Sequence, residues 1–229
     1  MNIQQAKQDI RNALSPLQPP QRNSLRLRAL KQGHMYEAYI FAEVSEQIRD
    51  NHAQFSLTLI NPTQGQLTLK SSPGTIDRSS YSHVEIHENG VLKANIFTDI
   101  EFLSLGYTQR SSNRRSRQRS DCHELDVIVV EEHVRDGKRP DHESIWLGVE
   151  CKSGAFQKKF MREIFGIRRA ISFWRRGTFS TKLTDWPFTD GRCVQKPPVP
   201  LILYSQNDLT NYEDSAMDFD VLLKQCRMP

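Results

Sequence analysis

Two acidic residues and a lysine lie in strand-like stretches near the middle of the chain. Asp126 interrupts the apolar run Leu125–Val130, and Glu150-Cys151-Lys152 closes a second apolar run. Side chains alternate along a strand, so Glu150 and Lys152 share one face and Cys151 points to the other. If the two strands pair, Asp126 joins the same cluster. The chemistry of this cluster depends on whether it binds a cation or forms an ordinary salt bridge.

Two carboxylates on adjacent strands repel each other unless a cation lies between them. Carboxylate oxygens suit Mg²⁺ or Mn²⁺, which bind one or two carboxylates together with substrate phosphate. A lysine beside them can orient or deprotonate an attacking water, or stabilise charge that builds on phosphorus. Gly148, on the same predicted face, indicates that something approaches the backbone closely. The alternative is a cross-strand salt bridge, which leaves one acid of the pair uncompensated.

A Glu-x-Lys triplet alone has little weight, because a chain of this length contains about one by chance. Its setting adds weight. The stretch 24–50 is predicted to be helical, with apolar residues at helical spacing from Tyr36 to Ile48. Glu37 lies on the buried side of that helix, where an acid needs a partner. The alternative is a first-turn glutamate that the helix dipole favours.

The order of the remaining elements indicates the fold class. Asn89-Gly90 between alternating runs predicts a β-hairpin, and the short apolar run 199–204 predicts a strand buried on both faces. The other predicted elements are strands at 54–60, 66–70 and 82–86, a strand at 91–97 that 99–103 continues, helices at 156–174 and 214–225, and a loop at 177–198. We therefore predict an α/β (α+β) fold, with a central mixed β-sheet flanked by helices.

Arginines concentrate in two places. Residues 109–120 contain five arginines and no apolar residue, which predicts a basic loop that contacts nucleic-acid phosphates; the alternative is a solvated loop. The second basic cluster is predicted on the non-apolar faces of the helix 156–174. Its members are Lys158, Lys159, Arg162, Arg168, Arg169, Arg175 and Arg176. The alternative interpretation of this cluster is a solvated surface helix. The side chains that we expect to contact nucleic acid are Arg110, Arg114, Arg115, Arg117, Arg119, Lys158, Lys159 and Arg162.

Composition excludes several classes of protein. The chain has 229 residues, a net charge of +4 and a mean hydropathy of −0.61, and no run of about eighteen apolar residues that would cross a membrane. The start of the chain lacks the layout of a signal peptide, and four scattered cysteines argue against a zinc ribbon or a disulfide scaffold. We expect a cytoplasmic protein with an N-terminal helical arm at 1–23 and one domain at 24–229.

Asp126 and Glu150-Cys151-Lys152, with the Glu37 helix before them and a helix after them, resemble the PD-(D/E)XK nuclease superfamily. The resemblance implies a restriction-endonuclease-like core with a central mixed sheet, a divalent metal and phosphodiester hydrolysis. It makes Asp126 and Glu150 metal ligands and Lys152 the catalytic lysine. The backbone carbonyl of Cys151 is implied to face the metal. Glu37 matches the acid that many members have on the first core helix, and the resemblance makes it a further catalytic residue that ligates or positions a second ion.

The chain departs from the family pattern at two points. Leu125, rather than proline, precedes Asp126, and no Gln-x-x-x-Tyr motif follows Lys152, because Met161 stands four residues after Gln157. The resulting expectation is a Mg²⁺- or Mn²⁺-dependent endonuclease acting on DNA, of a defence or restriction type. RNA is the alternative substrate, no membrane partner is expected, and cleavage of both strands implies a homodimer.

Two other kinds of protein compete with this expectation. One is a catalytically inactive nucleic-acid-binding module of the same fold, which keeps the basic segments and needs no metal. The other is a structural or interaction protein whose arginines meet an acidic partner. A small-molecule enzyme is disfavoured, because the sequence has no nucleotide-binding loop and no nucleophile–base motif.

Overall fold

The structure is a computed structural model that describes residues 2–18, 25–27, 32–63, 65–110, 118–183 and 192–229. Its elements in chain order are α1 (Ile3–Leu14), β1 (Arg26–Leu27), α2 (Gln32–Asn51), β2 (Phe55–Ile60), β3 (Gln66–Leu67), β4 (His83–Glu88), β5 (Val91–Leu103), α3 (Leu105–Arg110), β6 (Cys122–Glu131), β7 (Ile145–Lys152), α4 (Lys158–Ile171), β8 (Phe173–Ser180), β9 (Arg192–Lys196), β10 (Leu201–Ser205), α5 (Glu213–Met217) and β11 (Val221–Gln225).

Seven strands form the central sheet, in the order β11-β10-β7-β6-β5-β4-β2. The strands from β2 to β7 pair antiparallel, whereas β7, β10 and β11 run parallel to one another. Two smaller sheets pair β1 with β3 and β8 with β9. The predicted α/β (α+β) class, with a central mixed sheet flanked by helices, is confirmed.

Each face of the sheet has its own apolar core. On one face, α2 packs over β6 and β7, and α1 packs against α2; Ile10, Ile40 and Val149 belong to this core. On the other face, α4 packs with Ile164 towards Leu203. Burying a side chain of this size stabilises the fold by about 1.5–3 kcal/mol. The sheet is therefore covered on both sides at its centre, where Asp126 and Glu150 lie.

The predicted hairpin is confirmed, and its turn has a clear physical basis. Glu88 pairs with Val91, so Asn89 and Gly90 form a two-residue turn. Their φ angles are 51° and 79°, a left-handed conformation that asparagine and glycine adopt more easily than other residues. β5 then continues to Leu103 as one long strand.

Several predicted elements are wrong in type or extent. The predicted helix 214–225 ends at Met217, and Val221–Gln225 forms β11 beside β10 instead. Short apolar runs do not distinguish helix from strand, and here the open edge of β10 supplies backbone partners. The predicted loop 177–198 contains the end of β8 and all of β9. The helix predicted at 24–50 begins only at Gln32, and the strand predicted at 66–70 is the two-residue β3, which pairs with β1.

A bulge in β7 changes which residues share a face. Val129 pairs with Leu147, but Val130 pairs with Ile145, so the register shifts by one residue. Ile145 consequently joins the α4-side core, and Trp146 joins the α2-side core. The predicted alternation holds from Leu147 to Lys152 and fails before it.

The structure also shows which groups approach the backbone at Gly148. A Cβ atom at this position would lie 3.0 Å from a Cδ1 atom of both Leu125 and Leu201. The groups that approach the backbone here are therefore two core leucines rather than a ligand.

Across the described residues, none of the helices has the length and apolar character needed to cross a membrane. The cytoplasmic location stays a prediction.

Candidate active site

The structure brings Asp126 and Glu150 together. Val127 lies opposite Val149 in the antiparallel β6–β7 pair, which places Asp126 opposite Glu150 at the next position. The Asp126 Oδ2 atom accepts a hydrogen bond from the backbone N–H of Cys151 at 2.6 Å. A side-chain carboxylate thus takes the place of a backbone acceptor between the two strands, and this contact fixes the carboxylate beside Glu150.

Cys151 presents its backbone, and not its thiol, to this site. In an antiparallel pair, the N–H and C=O of one residue point to the same neighbouring strand. The Cys151 carbonyl is therefore directed towards the Asp126 side, and its role as a metal ligand stays a prediction. The thiol packs into the α2-side core, where burial and then the Asp126 charge raise its pKa well above the usual range. A protonated thiol is a poor metal ligand.

Lys152 forms its ion pair within its own strand. Its Nζ atom lies 3.0 Å from Glu150 Oε2 and 3.6 Å from Glu163 Oε2. The Glu150 side chain is 8% exposed and that of Lys152 is 19% exposed. The predicted alternative was a cross-strand salt bridge. Asp126 instead accepts the Cys151 N–H, and the nearby charge of Lys152 offsets only part of the effect of burial on its pKa.

Two further acids belong to the cluster, and the sequence analysis missed both. Thr98 pairs with Val127 and Ile100 with Leu125, so Asp99 of β5 lies opposite Asp126. One carboxylate oxygen from each of Asp99, Glu124 and Asp126 lies within 4.8 Å of the other two. Glu124 precedes Asp126 by two residues, so strand alternation could have revealed it. No local signal marks Asp99, because its position depends on the β5–β6 register.

Glu37 approaches the same cluster from α2. Ligand atoms of His34, Glu37 and Asp99 also lie within 4.8 Å of one another, and His34 Nδ1 lies 2.9 Å from Glu37 Oε2. The Glu37 side chain is 20% exposed, in agreement with its predicted position on the buried side. The first-turn alternative is wrong, because α2 begins at Gln32 and has no acid in its first turn.

The crowded carboxylates resist ionisation. Burial, followed by the charges of Glu37 and Glu124, raises the pKa of Asp99 to about 8. Burial likewise raises the pKa of Asp126 well above its usual range, and Glu150 adds to this effect. Two unit charges within 4.8 Å of each other repel by at least about 3.5 kcal/mol at an effective dielectric constant of about 20. A bound cation would remove this cost, and an all-oxygen donor set fits Mg²⁺ or Mn²⁺.

The pKa of Lys152 is raised as well, but for a lysine this shift favours the charged form. Burial acts to lower its pKa, but the carboxylates of Glu150 and Asp126 outweigh burial, and the pKa rises. Lys152 is therefore a cation when no metal is bound to these carboxylates. Of the roles that the sequence left open, orienting water and stabilising negative charge suit it, whereas removing a proton does not.

A cavity of about 440 Å³ opens over these residues. Asp126, Glu150 and Lys152 line one side, and Arg162 of α4 lines the other. The cavity is large enough for a phosphodiester group and lies at the surface, between the sheet and α4. Arg162 is exposed at its rim, so a cation is available to a bound phosphate there.

The other predicted nucleic-acid contacts are only partly described. Lys158 and Lys159 are exposed at the start of α4, and Arg119 is exposed in a 3₁₀ turn before β6. Arg110 ends α3, and its side chain lies outside the described residues, as do Arg114, Arg115 and Arg117 entirely.

The prediction that Arg168 lies on the exposed basic face of α4 is wrong. It is buried, and its guanidinium donates hydrogen bonds to the carbonyls of Val199 at 2.8 Å and Asp220 at 2.5 Å. Arg168 therefore holds the end of α4 to two loops and does not face solvent. Arg169, the next residue, is exposed.

We compared the chain with models of protein families, with curated proteins and with solved structures, and none of them matches. The chemical interpretation of the site therefore depends on its own geometry.

Proposed function

We propose that this protein is a metal-dependent nuclease that hydrolyses DNA phosphodiester bonds, of the PD-(D/E)XK type that its sequence resembles. One observation supports this most strongly. Asp126 and Glu150 lie opposite each other on adjacent strands, with the cationic Lys152 beside them, in a cavity that opens to the surface. A structural salt bridge needs one acid and one base, whereas this site has an excess of buried acids.

The side chains of Asp126 and Glu150, with the backbone carbonyl of Cys151, would hold Mg²⁺ or Mn²⁺. All three donors are oxygens, which these hard cations prefer. A cation bound there supplies Lewis-acid polarisation of a phosphoryl oxygen and a more acidic water. The protein's contribution is to fix the donors. Asp126 is held by the Cys151 N–H, and Glu150 by Lys152.

Lys152 then acts as a positioned cation. As an ammonium group it donates hydrogen bonds to the attacking water or to the phosphate as negative charge develops. Arg162 at the cavity rim, with exposed Lys158 and Lys159 at the start of α4, would bind neighbouring phosphates. Contacts to phosphates alone position the nucleic acid without reading its sequence.

The test is cleavage of plasmid DNA by the purified protein with Mg²⁺ or Mn²⁺. We expect Glu150→Gln and Lys152→Met each to lower the cleavage rate by about 10²–10³-fold or more, the effect typical of losing one electrostatic group at a reacting centre. Glu163→Gln is the matched control, because Glu163 also contacts Lys152 but is exposed. It should cleave within a few-fold of wild type. Equal cleavage by wild type, Glu150→Gln and Lys152→Met would contradict the proposal.

A catalytically inactive nucleic-acid-binding module remains the competing function. It predicts DNA retention that falls steeply with salt, that needs no metal and that survives Glu150→Gln, without any cleavage. RNA in place of DNA tests the alternative substrate in the same assay. Sedimentation of the protein alone and with DNA tests the homodimer that cleavage of both strands implies.

A further inference from the structure

Three aromatic side chains lie together beside Lys152, at the start of α4. Phe156 precedes this helix, Phe160 lies in its first turn, and Tyr212 ends a 3₁₀ turn that follows β10. The Phe156 ring packs edge-on against Phe160, with 5.6 Å between centroids, and against Tyr212, with 5.1 Å between centroids. All three side chains are partly exposed. We call them the aromatic patch.

The surroundings of Phe160 differ from those of the other two rings. Among the described residues, Phe156 and Tyr212 pack against the α4-side core, whereas Phe160 packs into neither core. The centroid of the Phe160 ring lies 5.2 Å from the Nζ atom of Lys152 and 5.2 Å from that of Lys159. Core packing therefore does not explain why an aromatic residue is present at this position.

The same end of α4 is basic where a helix is better served by acids. Lys158 and Lys159 are its first two residues, both are exposed, and its first turn contains no acidic residue. The helix dipole disfavours cations at this end, and a bound phosphate would offset that repulsion. Arg162 lies four residues after Lys158, on the same face of the helix, and extends the basic surface to the cavity rim.

The simpler explanation is that Phe160 only holds Lys152 in place. A cation–π contact does stabilise a lysine that lies over a ring. It accounts for one neighbour of Phe160. It does not account for the two exposed lysines of the first turn, or for the continuity of three partly exposed rings beside the cavity.

We propose that the aromatic patch stacks unpaired bases while the lysines beside it bind phosphates, so that this site takes single-stranded DNA in preference to duplex DNA. Proteins that bind single strands combine a cationic surface with aromatic side chains on which bases stack. In a duplex each base lies inside the stack, so its faces are covered and an aromatic side chain cannot stack on them.

The contact between Phe160 and Lys152 places the patch next to the candidate active site. A single strand stacked there would pass its backbone along the basic start of α4 towards Arg162 and the cavity. Cleavage of that strand rests on the proposed nuclease function, whereas its binding does not. The experiment therefore measures binding and cleavage separately.

For binding, the full chain is added in EDTA to a fluorescein-labelled oligothymidine of about 20 nucleotides, which exceeds a typical single-strand site. The blunt duplex with its complement is titrated in parallel at the same salt concentration, because both affinities depend on salt. Fluorescence anisotropy measures each dissociation constant. Wild type should bind the single strand at least about fivefold more tightly than the duplex, the smallest effect expected of one stacked base.

Phe160→Leu keeps an apolar side chain and removes the ring. It should weaken single-strand binding by at least about fivefold and change duplex binding by less than about twofold. Phe165→Leu is the matched control, because Phe165 lies on the same helix but packs against Phe219; it should bind both forms of DNA as wild type does. Lys158→Gln should weaken both forms and reduce the salt dependence of binding.

Equal single-strand binding by wild type and Phe160→Leu, or tighter binding of duplex than of single strand by wild type, would overturn the inference. Slower cleavage by Phe160→Leu with an unchanged preference between the two forms would also overturn it, because the ring would then only position Lys152. A single-strand preference that depends on Phe160, without cleavage in Mg²⁺ or Mn²⁺, would support the patch and count against the nuclease. Cleavage of duplex DNA without a single-strand preference would do the reverse.

Discussion

The Oδ2 atom of Asp126 accepts a hydrogen bond from the backbone N–H of Cys151 at 2.6 Å. This aspartate is thus both a member of an acidic cluster and a structural partner of the next strand. Its two roles can be separated by substitution, because an amide oxygen accepts the same hydrogen bond without a charge.

Asp126→Asn should keep the hydrogen bond to Cys151 and remove one acid from the crowded site. We expect the metal-free variant to melt about 2–4 °C above wild type at alkaline pH, where the Asp126 carboxyl is charged, which corresponds to roughly 1 kcal/mol for a chain of this size. Asp126→Ala leaves the N–H without an acceptor and should lose about 1–3 kcal/mol. Circular dichroism melts in EDTA measure both. An asparagine variant less stable than the alanine variant would show that the hydrogen bond is unimportant.

The raised pKa of Asp99 predicts how stability varies with pH. Its pKa of about 8 in the folded protein exceeds the value of about 4 in an unfolded chain, so the folded state binds the proton more tightly. This contribution to stability is complete below about pH 4 and is lost as the pH rises to about 8. The melting temperature of metal-free protein should therefore fall between about pH 5 and 8.

Asp99→Asn is the matching variant and should flatten that dependence. A divalent cation should raise the melting temperature of wild type more at about pH 8 than at about pH 5, because protons compete with the metal for the carboxylates. A melting temperature that rises steadily across this interval in EDTA would mean that Asp99 is readily ionised in the fold.

Gly148 predicts a packing defect on substitution. The methyl group of Gly148→Ala would meet Leu125 and Leu201 at 3.0 Å, and overpacking of this kind costs about 1–3 kcal/mol. Gly154→Ala is the control, since a Cβ atom there has no neighbour within 4 Å among the described residues. Urea unfolding should place Gly154→Ala within about 0.5 kcal/mol of wild type. Equal stabilities for the two variants would mean that both leucines move aside freely.

Arg168 and Arg169 are neighbours in sequence with different predicted roles. Arg168→Met removes the donors for two loop carbonyls and should lower the free energy of unfolding by about 3 kcal/mol. Arg169→Met should change stability by no more than about 0.5 kcal/mol. In a filter-retention assay, Arg169→Met should weaken DNA binding modestly. A stable Arg168→Met protein with lost DNA retention would place Arg168 on the basic face after all.

The sequence predicted the parts of the fold that periodicity and turn chemistry determine. α2, the core of α4 and the Asn89-Gly90 hairpin were recognisable, because each has a long repeat or a residue with a special φ angle. The buried β10 was recognisable as a continuous apolar run, which is typical of a strand covered on both faces. The element β11 was not, since its apolar part, Val221-Leu222-Leu223, is too short to show a period and becomes a strand only through pairing with β10. Arg168 was misplaced for a similar reason, because helical spacing does not show which loops cover the far side of α4.

The candidate site was predictable to the same extent. Asp126, Glu150 and Lys152 converge because strand alternation and one antiparallel pairing suffice to bring them together. Asp99 was missed because its position opposite Asp126 requires the register between β5 and β6, and a shift of one residue would turn it away. His34 was missed because its partner Asp99 was unknown.

The packing of α1 against α2 has a consequence for how the site is studied. Ile10 and Leu14 share a core with Ile40, and α2 is the helix that holds His34 and Glu37 near the sheet. α1 contributes no side chain to the site, yet it helps to hold His34 and Glu37 in place. Loosening α1 would therefore reduce metal affinity by allosteric coupling through α2, and a mutational screen scored by activity alone would mistake Ile10 for a ligand-sphere residue.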